Sequence, residues 1–337
     1  SDTEKIYPNF YEGKVDEVWV STLVERTADA VLRAVADART EDELTLHEGR
    51  ENTVAHIRRY FMKDGKVRTN PGRNNPDVVR PAGEIDPRVH TLRFGKNRVL
   101  AVFYGLHPDC VGGTKYSADY PYHLTEGLKE SLGRNWQVIY LNACCGNINH
   151  IDIKNTAQRS GPEESRRIGR TLATAVLASL DQGTQIQVDR LAGASTRVKC
   201  RLRRPKPEEV TEAEERLRTG RNPLEFNGLF APAAVVLAKT KDREHTAEVA
   251  ALRLGSFGLA AVPGEYFVEL GREIEAGSPF RPTRTIGLTN GSMGYIPTRE
   301  AYEQGGYESG YRSARYVPEN GHNWARAAQD LLKKLAR

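Results

Sequence analysis

Val99-Leu100-Ala101-Val102-Phe103-Tyr104 runs without a charged residue into Gly105-Leu106-His107-Pro108-Asp109. A short apolar run closed by Gly and Pro reads as a strand followed by a turn. A second run at 138–141 follows a helical segment at 124–132, so the local order is strand, helix, strand, and a parallel pair is the natural inference. Downstream, Gly161-Pro162-Glu163-Glu164 opens another helix, with proline at its first position and acids in its first turn, and Ile168, Leu172, Val176 and Leu180 form its stripe. The runs 247–254 and 257–262 read as two strands joined by a Gly-Ser turn, with a helix at 265–275 immediately behind. A last strand at 285–289 precedes a Gly- and Tyr-rich loop and a C-terminal helix over 323–335.

Towards the start, Val20, Val24, Ala28, Val31, Leu32 and Val35 have the three-and-four spacing of an amphipathic helix. Residues 70–86 are rich in Pro, Gly, Asn and Arg, lack periodicity, and read as a long loop. Residues 206–221 are almost entirely polar and read as an exposed helical excursion. The expectation is an α/β protein: a layered mixed β-sheet holding strands at Val99, Val138, Val249, Phe257 and Thr285, with helices packed on it.

Composition narrows the function. Of 337 residues, 39% are hydrophobic and 28% charged, with 30 Gly and 17 Pro, the balance of a globular enzyme. The net charge of +5, from 49 basic and 44 acidic residues, is too small an excess to argue for nucleic acid. The densest basic stretch, Arg197, Lys199, Arg201, Arg203, Arg204 and Lys206, alternates with Val198, Cys200 and Leu202 and reads as one solvated strand face. Cys110, Cys144, Cys145 and Cys200 lack CxxC spacing, which argues against a zinc knuckle and a disulfide scaffold and for a reducing, cytoplasmic setting. The first residues carry no signal-peptide pattern, and no apolar run is long enough to span a membrane. GxGxxG, GxxxxGK[ST], HExxH and GxSxG are absent, which removes dinucleotide, P-loop and nucleophile-elbow enzymes.

Three segments place polar residues just past the ends of apolar strands, where open α/β sheets form their crevices: 105–109, 142–150, and Val262-Pro263-Gly264-Glu265. A histidine after a strand and a glutamate opening a helix are common structural features, and spacing alone leaves a metal site as the minority reading. Gly264-Glu265, then Gly294-Tyr295-Ile296-Pro297-Thr298-Arg299-Glu300 and Gly306-Tyr307-Glu308, resemble the C-terminal half of the neutral, non-lysosomal ceramidase catalytic domain and its shorter bacterial relatives. In that pattern the tyrosine of a YxxT turn is followed twelve residues later by the tyrosine of a YE pair, the spacing of Tyr295 and Tyr307. Gly146-Asn147-Ile148-Asn149 resembles the family's GDxS or GDxN turn, and Ser117-Ala118-Asp119-Tyr120 after His107 is also similar.

The resemblance implies one zinc ion and a water that attacks an amide carbonyl, with His107, Glu265 and Tyr295 as metal ligands and Tyr307 donating to the oxyanion. Asn149 joins it as a catalytic candidate, and Asp119, Asn147 and His150 as substrate-binding candidates. Two departures matter. Asn149 stands at the position of the family's essential serine, with Asn147 at its aspartate and His150 at its proline, so the substrate is expected not to be ceramide but a small polar or peptide-like amide. The second imidazole ligand belongs to an N-terminal family segment, and 1–337 corresponds to a single catalytic domain lacking about a hundred residues of it. That segment is expected as a companion fragment cut from the same precursor. Alternatives are a metal-free binding or scaffold subunit, and a hydrolase using Ser1 as N-terminal nucleophile.

Overall fold

Both faces of the 99–104 run are covered by protein, which is why it carries no charge. The computed structural model describes residues 16–38, 43–219 and 231–337. Helix α1 (Glu17–Asp37) precedes strands β1 (Leu44–Arg50), β2 (His56–Ile57), β3 (Arg59–Met62), β4 (Val67–Thr69), β5 (Val78–Pro81), β6 (Arg88–Phe94) and β7 (Val99–Tyr104). Then come α2 (Asp119–Leu132), β8 (Gln137–Asn142), β9 (Ile148–Asn149), α3 (Pro162–Ser179), β10 (Thr184–Ile186) and β11 (Leu191–Arg201). The remainder holds α4 (Pro207–Arg218), α5 (Ala231–Lys239), β12 (Glu244–Leu254), β13 (Phe257–Ala261), β14 (Glu265–Tyr266) and α6 (Val268–Ala276). Strands β15 (Thr283–Ile286) and β16 (Tyr295–Ile296) lead to α7 (Arg299–Gln304) and α8 (Glu319–Ala336).

Two mixed sheets carry the fold. One has the order β10-β1-β6-β7-β8 and the other β11-β12-β13-β15. In each, antiparallel strands lead to one parallel pair, β7 with β8 and β13 with β15. The five strands expected in a single sheet therefore divide between two, joined by a bridge from Ala143 to Ile286.

Alternation along the strands decides the layers. Leu100, Val102 and Tyr104 of β7 face α2 and α3, meeting Leu124, Leu128, Ile168, Leu172 and Val176. Ala101 and Phe103 point the other way, into a core with Phe257, Leu259, Ala261 and Ile286 of the second sheet. The opposite face of that sheet, through Val249, Ala251 and Ala260, packs on Leu270 and Ile274 of α6 and Trp324, Ala328 and Leu332 of α8. The order is thus helix, sheet, sheet, helix, and strands at its centre must be apolar on both sides. Helices α2 and α3 cross closely because Gly169 has no side chain: a Cβ there would lie 2.5 Å from His123 Cβ.

Periodicity located α1 correctly, yet every apolar residue of its stripe, Val20, Val24, Val31, Leu32 and Val35 among them, is exposed. The basic strand face holds for Arg197, Lys199 and Arg201 of β11, which are exposed beside the buried Cys200, but β11 ends there, and Arg203 instead donates to the Ser309 and Ala314 carbonyls and stacks on Tyr311. The 70–86 loop contains the short strand β5, and α4 covers most of the polar excursion. Among the described residues no helix is long and apolar enough to cross a membrane.

A charge cluster joins the sheets at the start of β6. Asp86 accepts from Arg88 Nε (2.8 Å) and from Arg284 Nη1 (2.9 Å), and Glu275 pairs with both arginines. Burial alone would raise the Asp86 carboxyl, but the Arg88 hydrogen bond and the charges of Arg284 and Arg88 hold it well below the carboxylate range. Burial, and then the same two arginines, push His90 down to about 3. Both shifts have one sign: the native state takes up fewer protons than the unfolded chain in acid. His90 stabilises above its unfolded value of 6.5 and loses that contribution between there and about 3; the Asp86 contribution begins to fall below about 4. The urea midpoint should fall steadily from pH 6.5 downward, and Asp86→Asn should flatten only the part below pH 4. A midpoint level from pH 6.5 to 4 would contradict the buried neutral His90.

Candidate active site

The carboxyl ends of β7 and β13 open on the same crevice. Gly105 leads the chain out of β7 so tightly against the segment after β8 that a Cβ would lie 2.8 Å from the Cys144 carbonyl. His107 follows, and its Nδ1 lies 2.8 Å from the carbonyl of Ile148 in β9. After β13 the sequence does not enter a helix at Glu265. It forms β14 instead, in parallel register with β16, so that Glu265 stands beside Tyr295. The distant partner decides this: Glu265 N–H donates to Gly294 O at 2.9 Å, and α6 starts only at Val268. Gly146 closes the floor, since a Cβ there would meet the Glu265 carbonyl at 2.3 Å.

His107, Glu265 and Tyr295 meet at one nitrogen. His107 Nε2 lies 2.7 Å from Glu265 Oε2 and 3.1 Å from Tyr295 Oη, and the His107 and Tyr295 rings stack at 6.0 Å. The chemistry of this contact is decided on the other side of the ring. A carbonyl only accepts, so Nδ1 carries the hydrogen that goes to Ile148, and in a neutral ring Nε2 is a bare lone pair facing a carboxylate. Two acceptors at 2.7 Å require a positive charge between or on them, either a proton or a metal cation. Burial opposes a charged ring, but Cys145 and Glu265 beside it outweigh burial and raise His107 well above its ordinary value. Burial alone would raise Glu265, and His107, Tyr295 and Arg58 lower it. Burial raises Tyr295 against the opposing charge of Arg58.

These three donors fit zinc. Nitrogen and oxygen ligands at about 2.0–2.2 Å in a tetrahedron stand about 3.3 Å apart, so the 3.1 Å contact needs to widen by about 0.2 Å and the 2.7 Å contact by about 0.6 Å. The side chains of His107 and Glu265 keep 12% and 22% exposure, which leaves the cluster open to solvent.

Tyr307 packs edge-on against Tyr295, with ring centres 5.5 Å apart. Its position is set by residues that sequence reading passed over. Glu308 is fully buried, accepts from Arg59 Nη1 at 2.8 Å and Thr69 Oγ1 at 2.7 Å, and is ion-paired with Arg58 Nε at 2.7 Å. Arg58 also donates to Gly146 O and lies 5.0 Å from the centre of the Tyr295 ring and 5.9 Å from that of Tyr307. An Arg-Arg doublet is read by default as solvated surface, even where, as here, Ile57 and Tyr60-Phe61-Met62 flank it. Cys145, the neighbour that raises His107, was visible only as half of a cysteine pair.

The other candidates are engaged elsewhere. Asp119 accepts from Val111 N and Tyr120 N, pinning the loop after His107 to the start of α2. Asn147 donates to both oxygens of Glu269 and accepts from Val268 N, which secures the start of α6. Asn149, buried, donates to Asn70 Oδ1 at 3.1 Å and accepts from Ile151 N. His150 bonds Asp109 and Ser160, and donor atoms of Asp109, Cys110 and His150 lie within 4.8 Å of one another. Ser1 lies outside the described residues. A cavity of about 980 Å³ lies beside the neighbouring loops, lined by Arg50, His56, Tyr60, Arg80 and Arg272 rather than by His107 or Glu265.

The layered α/β fold is that of the neutral ceramidases. The neutral ceramidase from Pseudomonas aeruginosa superposes with a TM-score of 0.66 and 18% identity, over 91% of this chain and 55% of that one. A ceramidase complexed with C2 gives 0.64 and 17%, over 88% and 54%. The chain thus spans little more than half the length of these structures. No family model matches it, and no curated protein matches it in sequence.

Proposed function

We propose that this chain is a metal-dependent hydrolase of an amide-type bond, with His107, Glu265 and Tyr295 as zinc ligands. The observation that carries the reading is His107 Nε2 held 2.7 Å from the Glu265 carboxylate and 3.1 Å from Tyr295 Oη, three donors grouped so that one cation could satisfy them. Bound there, zinc would polarise a carbonyl and supply a nucleophilic water near neutral pH. The chain's own residues do the rest. The Ile148 carbonyl fixes the tautomer of His107, Arg58 places positive charge beside the Tyr295 phenol, and Tyr307 supplies a hydroxyl beside the cluster. Asn149 in place of the family's serine favours a substrate other than ceramide, and a short polar amide or peptide-like bond fits the open, partly solvated cluster.

Metal analysis of the purified chain tests the reading directly. About one zinc per chain, released by a chelator together with amidase activity, is expected. A stable protein with no metal and with His107 protonated would leave only a binding or scaffold role. Tyr307→Phe removes one oxyanion donor, and turnover should fall about 10²-fold with zinc content unchanged. Unchanged turnover would remove Tyr307 from the mechanism.

A further inference from the structure

Away from the His107 cluster, Asp109 Oδ1 lies 3.0 Å from His150 Nδ1, and His150 Nε2 lies 3.0 Å from Ser160 Oγ. A carboxylate only accepts, so Nδ1 must carry the hydrogen, and in the neutral ring Nε2 is left with its lone pair aimed at a serine hydroxyl. This is the tautomer and the order of contacts that a serine nucleophile needs from its base and orienting acid. We propose that Ser160, His150 and Asp109 form a second, nucleophilic site that transfers the acyl group of small carboxylic esters.

Three further features of the fold support it. The segments are cross-tied: Gly161 N donates to Cys110 O at 2.7 Å and Gln158 Nε2 donates to the His150 carbonyl at 2.8 Å, so the contacts do not depend on the triad alone. Burial is graded in the useful sense, with His150 at 3%, Asp109 at 41% and Ser160 exposed to incoming substrate. Ser160 also sits on a sharp turn, because Gly161 has φ 120°, directly ahead of α3. The first hydrogen bond into that helix is Ser165 N to Gly161 O, which leaves the Glu163 and Glu164 amides without intrahelical partners at the helix end that follows Ser160.

In the reaction Ser160 Oγ bonds to the acyl carbon, and its proton passes to His150 Nε2. The same proton leaves with the alkoxide as alcohol. Water then attacks the acyl-serine through the same base, releasing the carboxylic acid and restoring the hydroxyl. No metal enters, so this activity should survive a chelator that silences the proposed zinc site.

The probe is an alkyl fluorophosphonate, whose P–F bond breaks as Ser160 Oγ bonds to phosphorus and fluoride leaves. Applied to the whole 337-residue chain in chelator, it should label Ser160, located by fragmentation of the peptide that also holds the buried Ser165. His150→Gln should slow labelling about 10²-fold or more. Because His150 is buried, Asp109→Asn, at a half-exposed side chain, serves as the second variant, and it should slow labelling without unfolding the protein. Ser160→Ala should abolish chelator-resistant hydrolysis of p-nitrophenyl acetate and leave zinc-dependent amidase activity unchanged. No label at Ser160, or labelling as fast in Asp109→Asn as in wild type, would reduce the triad to a structural network. Zinc lost from the protein on Cys110→Ala would assign Asp109, Cys110 and His150 to a metal and overturn the proposal as well.

Discussion

Glu265→Gln should cost the protein about 10² to 10³-fold in zinc affinity and, with it, nearly all metal-dependent turnover. Four-ligand structural zinc sites bind with roughly 10–16 kcal/mol, so one ligand accounts for about 3–4 kcal/mol, which is that range in affinity. Glutamine keeps the shape and the backbone pairing of β14 with β16 and removes only the charge. The lost carboxylate also removes one of the two neighbours, after Cys145, that compensate for the buried position of His107, so the remaining donors should be less well organised around a cation. A readout independent of turnover is thermal stability. A ligand at 1,000 times its Kd stabilises by about 4.1 kcal/mol, and at 1 to 10 times by about 0.4–1.4 kcal/mol, so the same zinc concentration should raise the melting temperature of the wild type far more than that of Glu265→Gln. Equal zinc-induced shifts in the two proteins would show that Glu265 is not a ligand.

How far the sequence could be read depends on whether the deciding contact is local. β7 and β13 were legible because a strand covered on both faces must be apolar throughout, and its end is marked where Gly105 or Pro263 admits polar residues. That is why polar residues past those strand ends, His107 and Glu265 among them, stood out in the sequence, whereas grouping them with Tyr295 rested on the resemblance to the ceramidase pattern. Which strands share a sheet was not legible: Val249 and Val102 look alike in sequence, and only long-range pairing assigns one to each sheet. Glu265 was expected to open a helix, and its distant partner Gly294 makes it a strand residue. Asp119 has the sequence surroundings of a site residue, yet two neighbouring amides claim its carboxylate. Arg58, Arg59 and Thr69 are ordinary surface types whose role exists only because a loop some 240 residues later brings Glu308 to them.

That clamp is where stability and the site meet, and Glu308→Ala should be the most destabilising single change near the crevice. Its carboxylate is wholly buried between two guanidiniums, with side-chain exposures of 6% for Arg58 and 1% for Arg59. Removing one partner of a buried ionic group leaves the others without compensation, at a cost of about 3–5 kcal/mol, well above the 0–1 kcal/mol of an exposed pair. The exposed Glu303 on α7 provides the comparison, and Glu303→Ala should change stability by less than about 0.5 kcal/mol. Glu308 also holds Thr69 Oγ1, which accepts from Tyr307 N at 3.1 Å, so its loss frees the loop that positions Tyr307. Arg58, released from Glu308, would no longer be held near the Tyr295 and Tyr307 rings. Turnover of the folded fraction should therefore fall as well, while Thr69→Val, which removes one neutral donor to the carboxylate and the acceptor of Tyr307 N, should lower stability by about 1.5–3 kcal/mol. Urea unfolding of the three variants separates the contributions. If Glu308→Ala unfolds within about 1 kcal/mol of wild type, the two arginines have found other partners, and the clamp is not what sets Tyr307 against Tyr295.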